Sequence, residues 1–170
     1  EKAGDTGKRV HTARSRNDQV ITDLKLFYRD ELISMVTNVS ELARLLISKS
    51  EETKDVIIPG YTHLQAAMPS SFGLWFGAYS ETLVEDLQFM KGVFDYINQN
   101  PLGSAAGYGS SFPVDRDHTT ELLEFDDMHV NSINAQLSRG KTEKLLVSGI
   151  SAFSASISKM AFDLVLFMSQ

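Results

Sequence analysis

Cysteine is absent from this chain of 170 residues. Without it there is no disulfide and no thiolate nucleophile; the absence fits a reducing compartment, and a cytoplasmic location is expected. A basic balance is missing too. The net charge is −6 and the sequence pI about 5.2, which argues against nucleic acid as a partner, because duplex binding needs a basic face. No apolar run reaches the length of a membrane span and no secretory pattern opens the chain, so no membrane partner is expected. There is no internal repeat, no low-complexity tract and no strand alternation longer than a few residues. No G-x-S-x-G elbow supports a serine hydrolase. His11, His63, His118 and His129 are scattered without zinc-ligand spacing, so no metal is expected.

What is present belongs to a soluble globular class: 42% apolar and 22% charged residues, enough for one ordinary domain with a core. The chain starts at Glu1 without a methionine and stops inside an apolar run, Phe167-Met168-Ser169-Gln170. Both ends read as cut, and a piece of a longer chain is expected.

Residues 1–16 are polar, with Gly4 and Gly7, and read as loop. A long helix is expected from Asn17 to about Lys49, with Val20, Leu24, Phe27, Ile33, Val36, Val39 and Leu46 roughly on one stripe. Leu26, Leu32, Leu42 and Leu45 widen that stripe, which implies more than one neighbour. Val56 to Gly60 reads as extended or turn, since Pro59-Gly60 punctuates it. The second helix has the clearest period. Met68, Phe72, Phe76, Tyr79, Leu83, Leu87, Met90, Phe94 and Ile97 step by three or four residues, with Pro69 in the first turn, where proline is tolerated. Burying these side chains does not offset the entropy of ordering so long a backbone, so the helix needs partner helices. A glycine-rich loop, residues 101–113, follows. Short helical pieces come next, over Asp115 to Phe125 and after Asp127. Gly140 breaks the pattern, and a last helix runs from Lys141 with a seam of Leu146, Ile150, Phe153, Ile157, Met160, Leu164 and Phe167. Its serines permit close helix approach. The fold class expected is all-α: residues 17–170 as part of a long-helix bundle, preceded by the loop 1–16.

Three stretches carry polar chemistry. His11-Thr12-Ala13-Arg14-Ser15-Arg16-Asn17-Asp18-Gln19 places two arginines, hydroxyls, an amide and a carboxylate at the start of a helix. There the exposed backbone N–H groups and the positive dipole end suit an anion; a plain helix cap with a solvated basic loop is the alternative. Lys8, Arg9, Arg14 and Arg16 form a local basic patch that suits a small anion better than a polymer. Gly60-Tyr61-Thr62-His63-Leu64-Gln65 combines imidazole, hydroxyl and amide, able to hold a carboxylate or move a proton; a histidine satisfying a turn is the alternative. The loop Pro101 to Ser111 lacks a P-loop lysine and a flanking strand, so nucleotide binding is not expected.

Together these blocks resemble the argininosuccinate lyase/delta-crystallin family of the fumarase/aspartase superfamily. Arg9 to Gln19 is similar to its first signature, with Ala13 where glycine is usual, and Pro59 to Gln65 to its second. Asn100-Pro101-Leu102-Gly103 and Val114-Asp115-Arg116 resemble the loop between long helices. The resemblance implies the central helical domain of the fumarase/aspartase fold, and a homotetramer whose active sites collect residues from several subunits. It also implies β-elimination of argininosuccinate to arginine and fumarate, without cofactor. By motif, His63 is the family's catalytic histidine. Thr62 binds a carboxylate, Asn17 contacts substrate with Ser15 and Arg16 close by, and Gln65 supports them. The family's third signature, G-S-S-x-M-P-x-K-x-N, carries the serine taken as the base, and is expected beyond the residues present. Gly109-Ser110-Ser111-Phe112-Pro113 is similar only superficially, lacking the methionine, lysine and asparagine. The segment from Asn131 to Lys144 also departs from the family pattern. The Ser15 to Gln19 block argues against a sister lyase acting on adenylosuccinate, fumarate or aspartate. The alternative function is a non-catalytic, crystallin-like helical assembly module.

Overall fold

In a computed structural model, residues 3–169 are described, and they are mostly helical. Among the described residues six helices occur in the order α1 (Gly4–Arg9), α2 (Arg16–Glu52), α3 (Phe72–Ile97), α4 (Arg116–Leu122), α5 (Ser132–Leu137) and α6 (Lys141–Met168). Four short strands join them: β1 (Ile57–Thr62), β2 (Gln65–Ser71), β3 (Gln99–Asn100) and β4 (Asp127–Met128). The all-α class holds. Two compact units divide the chain. One comprises Glu1–Leu32 with Val93–Leu145, the other Ile33–Gly92 with Leu146–Gln170.

Four details differ from the sequence expectations. The first is α1, a six-residue helix inside the expected loop, with Asp5 in its first turn and Lys8 and Arg9 in its last, on the sides the helix dipole favours.

The second is an antiparallel hairpin of β1 and β2: β1 covers much of the stretch expected to be extended or turn, but no partner strand was expected and Met68 and Pro69 were placed in a helix. Pro59 faces Pro69 across it, so neither missing N–H interrupts a ladder bond. Gly60 sits at an irregularity in the register, and a Cβ there would lie 2.9 Å from the Met68 carbonyl. Helix α3 starts only at Phe72, after Ser71, whose hydroxyl accepts the Leu74 N–H at 3.1 Å.

Third, the buried faces of two long helices match the expected stripes only in part: Val39 and Leu46 on α2 and Phe153 on α6 are buried as expected, while other positions differ. On α2 the buried positions are Asp18, Ile21, Thr22, Lys25, Leu32, Val39, Ala43 and Leu46, while Phe27 and Ile33 are exposed. On α6 they are Thr142, Gly149, Phe153 and Ser156, while Ile150, Ile157 and Leu164 are exposed. Small residues select the α6 face. Gly149 lets the Met90 sulfur press against the helix backbone, and the Ser156 hydroxyl donates to the Asp86 carboxylate at 2.6 Å. On α3 the expected stripe holds, with Leu83, Met90 and Ile97 buried one heptad apart.

Fourth, α6 is long and apolar enough to cross a membrane by length and composition, with mean hydropathy 1.4 over its best window. This differs from the expectation that no apolar run reaches that length; serines interspersed with the apolar residues break the helix into short apolar stretches.

Gly73 and Gly92 give opposite expectations. A Cβ at Gly73 would lie 2.5 Å from the Lys54 Cα and 2.6 Å from the Ser50 carbonyl, both backbone atoms. At Gly92, exposed in the middle of α3, it would meet nothing within 4 Å. Urea unfolding should therefore show Gly73→Ala destabilised by about 1–3 kcal/mol and Gly92→Ala stabilised by about 0.5–1 kcal/mol.

Candidate active site

The first signature is built on the N-terminus of α2. Ser15 is the residue before the helix, and its hydroxyl accepts the Asn17 N–H at 3.2 Å. Asp18, three residues on, returns the favour: its Oδ1 accepts the Ser15 N–H at 2.9 Å. This reciprocal arrangement is a capping box with aspartate in the glutamate position. It turns the side chains of Arg16 and Asn17 to the exterior, where both are exposed, and leaves Ser15 half-buried.

The Asp18 carboxylate is fully buried, and its Oδ2 accepts the N–H groups of Gly103 (3.1 Å) and Ala105 (2.8 Å). The glycine-rich loop is thereby tied to the helix start. Gly103 has φ +89°, and a Cβ on it would strike the Arg116 side chain at 2.8 Å. The Arg116 guanidinium donates to the carbonyls of Leu102 (2.9 Å) and His129 (2.7 Å). Gln136 donates to the Ser104 hydroxyl (3.1 Å) and the Ala105 carbonyl (3.2 Å). So the segment that departs from the family pattern still buttresses this loop.

In the other unit, Thr62, His63 and Gln65 sit together at the tip of the β1–β2 hairpin, and all three are exposed. Thr62 pairs with Gln65 across a two-residue turn of His63 (φ 51°) and Leu64 (φ 60°). Both central residues are left-handed, as a type I′ turn demands, yet neither is glycine or asparagine. The backbone pays a conformational cost to hold the imidazole at the apex.

Sequence reasoning missed a buried pair in the first unit. Lys25 Nζ lies 2.9 Å from His129 Nε2, and both side chains are almost wholly buried. The Asn134 amide lies 3.2 Å from Nδ1 of the same ring. The Tyr96 ring receives Lys25 at 5.6 Å and Lys141 at 4.9 Å from its centroid. Burial pulls the Lys25 ammonium down to about 8, against the pull of Glu143. Burial pulls the His129 imidazole down to about 4; Lys25 and Arg116 add to this and Asp127 opposes it. No local motif marks the pair, since 104 residues separate its members.

A family model described as Lyase matches residues 1–170. The chain belongs to the lyase family. It is 57% identical over 169 residues to argininosuccinate lyase of Phocaeicola vulgatus, covering 99% of this chain and 38% of that protein. It is 56% identical over 167 residues to argininosuccinate lyase of Parabacteroides distasonis, covering 98% and 37%. Among solved structures, EDDS lyase in complex with formate superposes with a TM-score of 0.93 at 28% identity, covering 97% of this chain and 33% of that one. The lyase-family chain thus spans well under half the length of the curated relatives it matches.

The depressed His129 value predicts that this chain loses stability in acid. The His129 folded value, about 4, lies below its ordinary 6.5. The unfolded state therefore takes up the proton first as pH falls. Stability from this group is complete above about pH 6.5 and is lost on descent toward pH 4. Thermal melts across that window should show a falling midpoint, and His129→Gln should flatten the slope.

Ala13 has φ 58° in a turn closed by Arg14 N–H to the His11 carbonyl at 3.3 Å. Ala13→Gly should raise stability by about 1 kcal/mol in denaturant unfolding, because a left-handed alanine carries a steric cost of roughly that size.

Proposed function

We propose that this chain supplies two substrate-contacting segments of an argininosuccinate lyase, which splits argininosuccinate to arginine and fumarate. The observation that carries the reading is the 57% identity to an argininosuccinate lyase over 169 residues, a span that includes both polar segments.

The proposed reaction is a β-elimination. A base removes a proton from the succinyl carbon adjacent to a carboxylate, and the electron pair is held as an aci-carboxylate. That pair then forms the carbon–carbon double bond of fumarate while the carbon–nitrogen bond breaks. Its electrons pass to the guanidino nitrogen, which an acid protonates as arginine leaves.

The barrier lies in the charge that accumulates on the carboxylate, so preorganised donors are the main requirement. The Asn17 amide, the Arg16 guanidinium and the Ser15 hydroxyl stand at the positive end of a 37-residue helix. The Thr62 hydroxyl and Gln65 amide stand at a hairpin tip with few ways to relax. Charge-assisted hydrogen bonds from such donors contribute roughly 1.5–3 kcal/mol each. His63 acts in proton transfer or orients the group that does. In this reading no metal or organic cofactor takes part, the base lies in a segment outside this chain, and the working form is a cytoplasmic homotetramer.

The test is the ultraviolet absorbance of fumarate in the full-length enzyme. His63→Asn should lower kcat by about 10²–10⁴-fold, the range of general acid–base contributions, with KM little changed. Unchanged turnover removes His63 from the mechanism. Activity of the full-length enzyme on adenylosuccinate but not on argininosuccinate would overturn the substrate assignment.

A further inference from the structure

A cleft of about 510 Å³ opens in the second unit beside the hairpin, bounded by residues of β1, the start of α3 and the end of α6. Its walls are mostly apolar and aromatic, with Trp75 and Phe167 meeting edge to face at 5.7 Å. Among the described lining residues Asp163 alone is charged. Its Oδ2 accepts the Trp75 indole N–H at 3.0 Å and the Tyr79 hydroxyl at 2.6 Å. Both donors are neutral, so they fix the carboxylate without cancelling its charge. Among the described residues no Lys, Arg or His forms an ion pair with it. Burial and the neighbouring carboxylate push the Tyr79 phenol up, so it stays a hydrogen-bond donor to Asp163.

We propose that this cleft binds a small organic cation with an apolar body, its head beside Asp163 and over the Trp75 and Phe167 rings. Each feature selects for that class. Aromatic faces attract cations, most strongly from tryptophan. A carboxylate in apolar surroundings carries a desolvation cost that a cationic partner offsets. A single carboxylate among hydrocarbon walls lacks the oxygen set that calcium or magnesium requires, whereas the volume matches small-molecule sites. The proposal does not invoke Thr62, His63 or Gln65, although Pro59, Gly60, Tyr61 and Leu64 of the same hairpin line the cleft.

Trp75 is the sole tryptophan of the chain, so its fluorescence reports on this cleft. n-Butylguanidine, a guanidinium on a short alkyl chain, should change the emission saturably, and its neutral analogue n-butylurea should not. Asp163→Asn keeps an acceptor for Trp75 and Tyr79 while removing the charge, and should weaken n-butylguanidine binding at least tenfold with the circular dichroism unchanged. Ala78→Phe, which adds bulk to the cleft wall, should abolish binding and decides the matter if the Asp163 variant does not fold. Equal binding of n-butylguanidine and n-butylurea, native-like binding by either folded variant, or no saturable change would overturn the proposal.

Discussion

The Asp18 carboxylate is the constraint on which the first unit depends. It is removed from water and accepts three backbone N–H groups: one from Ser15 in its own helix cap, and two from Gly103 and Ala105, more than eighty residues away. A buried carboxylate without such donors carries a penalty of several kcal/mol. The cap and the glycine loop must therefore be in place together. The loop meets its side of this by adopting left-handed backbone at Gly103 and Ala105, which turns both N–H groups toward one oxygen. The same loop is held from behind by Arg116 and Gln136. What reaches the exterior is a short run, Arg16-Asn17, whose backbone has almost no freedom left.

The second polar segment achieves rigidity by a different route. The hairpin has no buried face to anchor it, since most of β1 and β2 is exposed. Its order comes from cross-strand pairing, from the Pro59–Pro69 pair and from a turn forced into left-handed backbone at His63 and Leu64. Strain at a turn persists only where the surroundings over-determine it. Here β1 and β2 make that determination, and the strained residue is the histidine to which the family resemblance assigns proton transfer.

The readable parts of the sequence were those whose cause is local. The α3 period, the capping letters of Ser15 and Asp18, the break at Gly140 (φ +79°) and the polar signatures all stand in consecutive residues. The hairpin was hidden because strand alternation arises from one buried face, and this hairpin has none. The departures of α2 and α6 from their expected stripes were hidden because apolar residues surround both helices, so hydrophobicity alone leaves several faces open. Distant partners settle the choice. Lys25 is turned inward by His129, Ser156 by Asp86, and Gly149 by the bulk of Met90. The letters of the candidate site were legible; the scaffolding under them, from Asp18 to Gly103 and from Gln136 to Ser104, lay in contacts that sequence spacing does not encode.

Exposure of the site residues bears on how the proposed chemistry could work. Arg16, Asn17, Thr62, His63 and Gln65 all face outward. In water a hydrogen bond to a developing carboxylate dianion gains little over the one water already makes, and donors become effective where solvent is excluded and the local dielectric falls. Under the lyase reading, these residues become catalytically competent only when other protein surface closes over them. That surface must also bring the base. The two segments are therefore rigid before that closure, each held by its own internal constraint, so that assembly has only to add walls and a proton acceptor rather than to order the donors as well.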